Sequence, residues 1–384
     1  MIQILDTTLR EGEQAPGVFF PLHAKEMAAS ALDALGVDFI EAGHPVAGQE
    51  IAEAVERLSH MDLRAKIVAH SRCTVEDVSA AAFSGAGCVG IFLCVANSRL
   101  DKVFRMTLSQ ALEEIGRSVS TAREMLPDAL IRFTPEDTVR SERENVIEAC
   151  RTAIQAGADV ISVADTTGYM IPGVRSMGQY VHDLRDALER RGLAPMLAAH
   201  CHNDRGLALA NALDAYQAGV DILDASILGL GERAGIVDLA TLMAVLAADF
   251  GEGEHWDLAR LPDLYALAAR HAGVSVPSFF PVIGKDVFRH SAGVHANAVI
   301  QNPEHYQSLD PSLVGREMEI ALGGMSGASS VRWALSRMGI ESPDDELVSE
   351  VVRFVKIFGR KGRDVTSEEL LRVIQWCEGR PSES

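Results

Sequence analysis

The chain lacks any CxxC pair. Its six cysteines, Cys73, Cys88, Cys94, Cys150, Cys201 and Cys377, are scattered, and three lie in apolar stretches. A disulfide scaffold or a structural zinc knuckle is therefore not expected. A basic surplus is missing too: Lys and Arg total 35 against 54 Asp and Glu, for a formal net charge of −19. Nucleic acid and anionic membranes need a broad basic face, so neither is an expected partner. No uncharged run reaches the roughly 18 residues that cross a bilayer. The opening MIQILDTTLREGEQ carries Asp6 and no cleavable apolar run, so no signal peptide is expected and the cytoplasm is the expected compartment. Low-complexity segments are absent as well. What remains is an ordinary globular composition, 47% hydrophobic and 23% charged over 384 residues. That is enough for a barrel-sized domain with a further region, and too apolar for a disordered chain.

Short apolar runs of β character alternate with amphipathic helical stretches through the first part of the chain. The runs are 2–6, 37–43, 65–71, 88–95, 130–137, 160–167, 196–204 and 222–231, separated by Ala-rich helical patterns such as 23–36 and 206–219. A Gly closes several helices just before the next strand, as in LG-VDF, AG-ADV and AG-VDI, which is the expected C-terminal cap. Eight βα repeats in about 250 residues predict an α/β fold of the (β/α)8 TIM barrel class. An open doubly wound sheet would need GxGxxG after the first strand, and none is there. Beyond the polar break at 251–255 a helix is predicted near 257–272, followed by a Pro-, Gly- and His-rich stretch at 276–303. Further helices are predicted near 327–339, 343–359 and 366–377. The expected division is a catalytic barrel over 1–250 and a mainly helical accessory region over 251–384.

Catalytic groups in such a barrel come from the C-terminal ends of the strands. Those ends carry Arg10 and Glu11, Glu41 and His44, Arg72, Arg132 and Glu136, Asp165 and Thr166, His200 and His202, and a Gly-rich turn at 229–235. On a strand, His200 and His202 face one side and Cys201 the other. Two such imidazoles hold one divalent metal if a carboxylate joins them. Glu11, at the end of the first strand, neighbours the seventh and eighth once the barrel closes. Arg10 beside a metal is suited to stabilise a developing oxyanion. One carboxylate and two imidazoles leave positions open for a bidentate ligand such as a 2-oxo acid.

At this point DTTLREGEQ, IEAGHP, RFTPED, VADTTG, AHCHND, LGLGERAG and HSAGVHANAVIQNPEHY, in this order, carry a family likeness. From residue 3 to about residue 335 the chain resembles the metal-dependent Claisen-condensing barrel enzymes, the alkylmalate synthase family of homocitrate, 2-isopropylmalate and citramalate synthases. The resemblance implies condensation of acetyl-CoA with a 2-oxo acid, giving a 2-hydroxy-2-carboxymethyl acid and free CoA. It implies Glu11, His200 and His202 as ligands of a divalent metal (Zn, Mn, Mg or Co), with Asn203 beside them. Arg10 is implied as the residue that stabilises the enolate or oxyanion, and Arg132, Thr134, Thr166 and Glu41 as contacts of the 2-oxo acid. Glu136 is implied in acid/base chemistry, His295 and Tyr306 as a catalytic pair from the accessory region, and GLGERAG as a wall of the acetyl-CoA site. A homodimer is implied as well. The acetyl methyl is a weak carbon acid and needs a base that titrates near neutrality, as imidazole does; His295 is the histidine the motif offers, with His290 as a support of the loop.

Within that family, the LGxGER form with RFTPED and HANAVIQNP is closest to homocitrate synthases, with Arg132 answering the distal carboxylate of 2-oxoglutarate through a bidentate contact. Three departures keep other 2-oxo acids open: 2-oxoisovalerate, pyruvate, oxaloacetate or a phosphonate-bearing pyruvate. Ala198 stands where lysine-pathway members usually carry Glu. Cys73 and Thr74 stand where many have a His after the Arg of the third strand. LGGMSGASS (322–330) lacks a Lys found in many relatives. A hydroxymethylglutaryl thioester lyase shares the first-strand and HxH motifs, but carries a Cys-containing glycine loop where this chain has GERAG. A 2-oxoglutarate-dependent iron oxygenase shares the two-His, one-carboxylate set, but not the eightfold βα pattern.

Overall fold

Eight runs of buried apolar residues pair side by side, all parallel, and close on themselves. They are β1 (Gln3–Asp6), β2 (Phe39–Gly43), β3 (Lys66–Arg72), β4 (Cys88–Phe92), β5 (Leu130–Thr134), β6 (Val160–Asp165), β7 (Met196–Cys201) and β8 (Ile222–Ala225). Closure is by β1 against β8, in register from Gln3 with Ile222 to Asp6 with Ala225. The expected TIM barrel is thus the observed fold. This computed structural model describes residues 1–378; residues 379–384 of the expected accessory region lie outside the described residues.

Several apolar runs outlast their strands because the chain turns out of the sheet. Asp137 and Leu228, for example, adopt left-handed backbone conformations, with φ of 56° and 60°. Helices cover the outer face of the barrel. The helix Leu22–Leu35 buries Ala24, Ala28, Ala29, Leu32 and Leu35, a stripe at helical spacing that turns toward the sheet. It ends at Gly36, whose φ of 106° lets its N–H reach the Leu32 and Asp33 carbonyls. Side chains of Thr74, Thr107, Ser176 and Asp238 accept backbone N–H bonds at the starts of four other helices, which otherwise leave those donors unpaired.

Inside the barrel, Leu5, Phe39, Val68, Cys88, Val160, Ala198 and Ile222 form an apolar layer, with Leu130 and Met196 packed against it. Side chains alternate along a strand, so the next inward position lies two residues on. Of those positions Glu41, His70, Gly90, Arg132, Ser162, His200 and Asp224 line one cavity, and the remaining one, Thr7, donates to Glu41. The hydrophobic layer therefore acts as the floor of a polar chamber.

The described chain divides into two compact units, Met1–Val276 and a second that begins at Pro277. The polar break at 251–255 is a turn within the first unit, not a linker. Beyond it, the helix Leu261–Ala272 packs on the helix Leu22–Leu35, and the hydroxyl of fully buried Tyr265 donates to Asp238 Oδ1 at 2.6 Å. The second unit carries the helices Gly293–Gln301, Ala328–Arg337, Asp345–Gly359 and Ser367–Glu378 and a short parallel pair, Arg289–His290 with Glu319–Ile320. Its core is built from Val331, Leu335, Val348, Val351, Val355 and their apolar neighbours. Among the described residues, no helix is long and apolar enough to cross a membrane.

Candidate active site and metal centre

The polar layer opens at the C-terminal mouth of the barrel into a cavity of about 230 Å³. Arg10, Glu11, Glu41, Arg132, Thr134, Glu136, Thr166, His200 and His202 all line it, so every barrel residue expected from sequence in a catalytic, substrate or metal role comes together there. A wider hollow of about 390 Å³ at the opposite end is lined by Gln3, Asp38, Lys66, His255 and their neighbours. It lacks such convergence, and the N-terminal end of a barrel is the one that serves stability.

Glu11, His200 and His202 offer ligand atoms that lie within 4.8 Å of one another. The two imidazole Nε2 atoms face each other at 3.3 Å, and Glu11 Oε1 lies 4.0 Å from His202 Nε2. Ligands that each sit about 2.1 Å from a common ion stand roughly 3 Å apart, so this spacing fits one divalent cation. His200 Nδ1 lies 3.0 Å from Asp224 Oδ2. Donation of that N–H leaves the Nε2 lone pair aimed at the centre. His202 is buried, and burial together with His200 pushes its pKa down to about 3, so it is neutral, as a ligand must be. Its Nδ1 is buried without a hydrogen-bond partner. The donor set of two imidazoles and one carboxylate suits Zn²⁺, Mn²⁺ or Co²⁺ as well as other divalent ions.

Carboxylates around this centre are held ionised by Arg10 and by neighbouring hydrogen-bond donors. Burial alone would raise Glu11, but Arg10 beside it keeps its carboxyl below the ordinary range. The Glu232 N–H also donates to Glu11 Oε1, at 3.1 Å. Glu41 is a hub: Oε2 accepts Thr7 Oγ1 at 2.5 Å and Arg10 Nε at 2.8 Å, while Oε1 accepts His70 Nδ1 at 2.9 Å. Burial again opposes ionisation, and Arg10, then His70, overcomes it, so that Glu41 sits well below its usual range. Arg10 thus bridges Glu11 and Glu41. Underneath, the buried Lys25 ammonium donates to Leu9 O (2.8 Å), Ala42 O (2.9 Å) and Glu13 Oε2 (2.7 Å). It ties the backbone next to Arg10 to the backbone next to Glu41.

Arg132 is tied into the barrel wall. Its fork is already bidentate to Asp224, with bonds of 2.9 and 2.5 Å, and a further N–H reaches Ser162 Oγ at 2.7 Å. A substrate carboxylate could take this same end-on fork only by displacing Asp224. Glu136 accepts from Arg99 at 2.8 Å. Thr166 Oγ1 accepts the Asp137 N–H at 2.9 Å. The turn 229–235 closes the mouth through Glu232 and Arg233, and Arg233 reaches Thr166 O at 2.6 Å and grips Asp204 with two N–H groups. Gly235 is required in this turn: its φ is 73°, and a Cβ there would lie 1.8 Å from Gly229 O.

Other strand-end residues face elsewhere. His44 and Arg72 both pair with Asp77, and Asp165 is buried beneath its own loop, accepting the Tyr169 and Met170 N–H groups. Asn203 accepts the Ala208 N–H. Cys73 is buried and Thr74 caps a helix, so the missing histidine there leaves no gap in the cavity. The β3 side chain that does line it is His70. Its pKa is lowered to about 4 by burial and by Arg10, and it stacks on Phe92 at 4.7 Å. No strand-end motif marks His70, Ser162 or Asp224, although each lies two residues beyond an inward apolar residue of its strand. In the second unit, His295 and Tyr306 stand together with ring centroids 4.1 Å apart, and His290 Nε2 is buried without a hydrogen-bond partner.

Residues 1–267 match the family model described as HMGL-like, and residues 282–363 match the homocitrate synthase post-HMGL domain-like model. A homocitrate synthase from Pyrococcus horikoshii is 39% identical over 353 residues, 92% of this chain and 94% of that protein. A probable 2-isopropylmalate synthase from Methanopyrus kandleri is 35% identical over 362 residues, 94% of this chain and 70% of that protein. Among solved structures, the HMG-CoA lyase of Bacillus subtilis superposes with a TM-score of 0.61 at 20% identity, covering 72% of this chain and 95% of the lyase. At that identity the likeness speaks for the fold alone.

Proposed function

The chain belongs to the HMGL-like family, in its alkylmalate synthase branch, and is an acyltransferase; from that membership we propose that it condenses acetyl-CoA with 2-oxoglutarate to give homocitrate and CoA. The observation that carries the reading is the convergence of Glu11, His200 and His202 beside Arg10 at the barrel mouth. The family model over residues 282–363 and the homocitrate synthase relatives support 2-oxoglutarate as the oxo acid.

In this reading Glu11, His200 and His202 hold a divalent metal, and that ion supplies the Lewis acidity that polarises the ketone. The chemistry then divides among the chain's own groups. A proton leaves the acetyl methyl, with His295 as acceptor and Tyr306 beside it. The methyl carbon forms the new bond to C2 of the oxo acid, and the ketone oxygen becomes an alkoxide. Arg10, fixed between two carboxylates, presents a cation that needs no reorganisation as that charge develops. Thr134, Thr166, Glu41 and Arg132 position the oxo acid, and Glu136, held by Arg99, assists proton transfer. The alkoxide takes up a proton, and water then hydrolyses the thioester, releasing CoA and leaving the third carboxylate of homocitrate.

Because the Arg132 end-on fork is committed to Asp224, the distal acid group draws on single hydrogen bonds from the chamber wall, the Ser162 hydroxyl among them. A homodimer and a cytoplasmic setting belong to the same reading. The test is a panel of 2-oxo acids with acetyl-CoA, scored by kcat/KM from thiol release. 2-Oxoglutarate is expected to lead, and a clear lead by 2-oxoisovalerate or pyruvate would reassign the substrate within the family.

A further inference from the structure

Asp224 on β8 is buried and serves two masters. Its Oδ2 lies 3.0 Å from His200 Nδ1 and 2.5 Å from an Arg132 terminal nitrogen, and its Oδ1 accepts from the other at 2.9 Å. One carboxylate thus fixes a group aimed at the metal centre and a group aimed at the oxo acid. The neighbouring contact, Arg132 to Ser162 Oγ at 2.7 Å, touches only the second of these. Both ends of the Asp224 carboxylate are engaged, so no single-oxygen acceptor can reproduce the arrangement. Arg132 cannot lose its charge in a protein, so the carboxylate also neutralises a cation buried in the polar layer.

We infer that Asp224 is a positioning residue shared by the two halves of the site. It selects the His200 tautomer whose Nε2 faces Glu11 and His202, and it sets the plane of the Arg132 guanidinium. The inference rests on the proposed function for the identity of the two halves. It predicts that one substitution at a residue touching neither metal nor substrate degrades both kinds of binding.

The experiment measures Mn²⁺ affinity on the full-length protein with Mn²⁺ alone, by competition with a chelating dye, and then the KM values for each substrate. Asp224→Asn is expected to weaken Mn²⁺ binding by about 10- to 100-fold, as loss of a carboxylate behind a metal-ligating histidine does. It is also expected to raise the KM for the 2-oxo acid while leaving that for acetyl-CoA little changed. Ser162→Ala removes contacts on the oxo-acid side alone, to Arg132 and to the substrate, so it is expected to raise the oxo-acid KM and leave Mn²⁺ affinity at the wild-type value. If Asp224→Asn does not fold because Arg132 is left unpaired, the double variant Asp224→Asn/Arg132→Met removes both charges and is expected to keep the weakened Mn²⁺ binding. Wild-type Mn²⁺ affinity in either Asp224 variant overturns the inference. An equal loss of Mn²⁺ affinity in Ser162→Ala also overturns it, because that outcome marks general loosening. Mn²⁺ binding that is indifferent to His200→Ala overturns the metal reading itself, and the two failures are therefore distinguishable.

Discussion

The Nε2 atoms of His200 and His202 face each other at 3.3 Å, and the proton inventory makes that approach informative. With the His200 Nδ1–H given to Asp224, only His202 can place a proton between the rings, and doing so strips the proton from its buried, unpartnered Nδ1. A divalent cation replaces this frustrated contact with two bonds. Mn²⁺ at a hundredfold excess over its dissociation constant is expected to raise the unfolding free energy by about 2.7 kcal/mol. Urea unfolding with and without Mn²⁺ reads the effect, and His200→Ala or His202→Ala should abolish it. An undiminished stabilisation in both variants would place the ion elsewhere.

Arg10 is wedged between Glu11 and Glu41, which makes its orientation as important as its charge. Lysine keeps the charge but cannot span both carboxylates with a rigid fork. Arg10→Lys is expected to lower kcat by about 10²- to 10³-fold, the usual effect of removing an oxyanion-stabilising donor. A kcat near that of the wild type would remove Arg10 from the chemistry.

Lys25 connects the backbones flanking two functional side chains, through Leu9 O and Ala42 O. Lys25→Met keeps the length of the side chain but strands two buried carbonyls and Glu13. A loss of about 3 kcal/mol in stability is expected, in the range for breaking a buried ion pair from one side. Chemical denaturation checks it, and a loss under about 1 kcal/mol, typical of an exposed pair, would contradict the buried-anchor reading.

Asp6 gives a pH dependence whose sign is fixed. Burial raises its carboxyl to about 7, against the pull of the Thr8 N–H and hydroxyl, and Glu41 adds to the rise. The folded state therefore holds a proton that the unfolded chain releases near pH 4, so this stabilisation is full at low pH and is lost as pH rises through 7. Relative to Asp6→Asn, the wild type is expected to lose on the order of 3 kcal/mol between pH 5 and pH 8. Urea unfolding of both proteins across that range decides it; a difference that does not change with pH would show that Asp6 is ionised throughout.

The barrel was legible because parallel strands covered on both faces write themselves as short, nearly continuous apolar runs. Glycines such as Gly36 mark where the helices between them stop. The metal trio was legible because His200 and His202 share a strand face and the closed topology brings Glu11 to them. His70, Ser162 and Asp224 are not marked in the sequence because they lie inside their strands, whereas the catalytic groups of a barrel are expected at strand ends. Counting two residues on from Val68, Val160 and Ile222 would have found all three. The commitment of Arg132 to Asp224 could not be read from sequence at all, since it joins residues 92 positions apart across the barrel. Likewise, nothing local in GEGEH at 251–255 tells a turn from a linker. That depends on the packing of Tyr265 and its helix against the barrel.

The central claim is a new carbon–carbon bond between an acetyl methyl and an oxo-acid carbonyl, and labelled product reads it directly. Wild-type protein with Mn²⁺, 2-oxoglutarate and acetyl-CoA carrying ¹³C in the methyl group should yield a labelled methylene attached to a quaternary carbinol carbon, with CoA released in equal amount and none formed by His200→Ala. Label recovered only as free acetate, or no CoA release with any 2-oxo acid, would contradict the account.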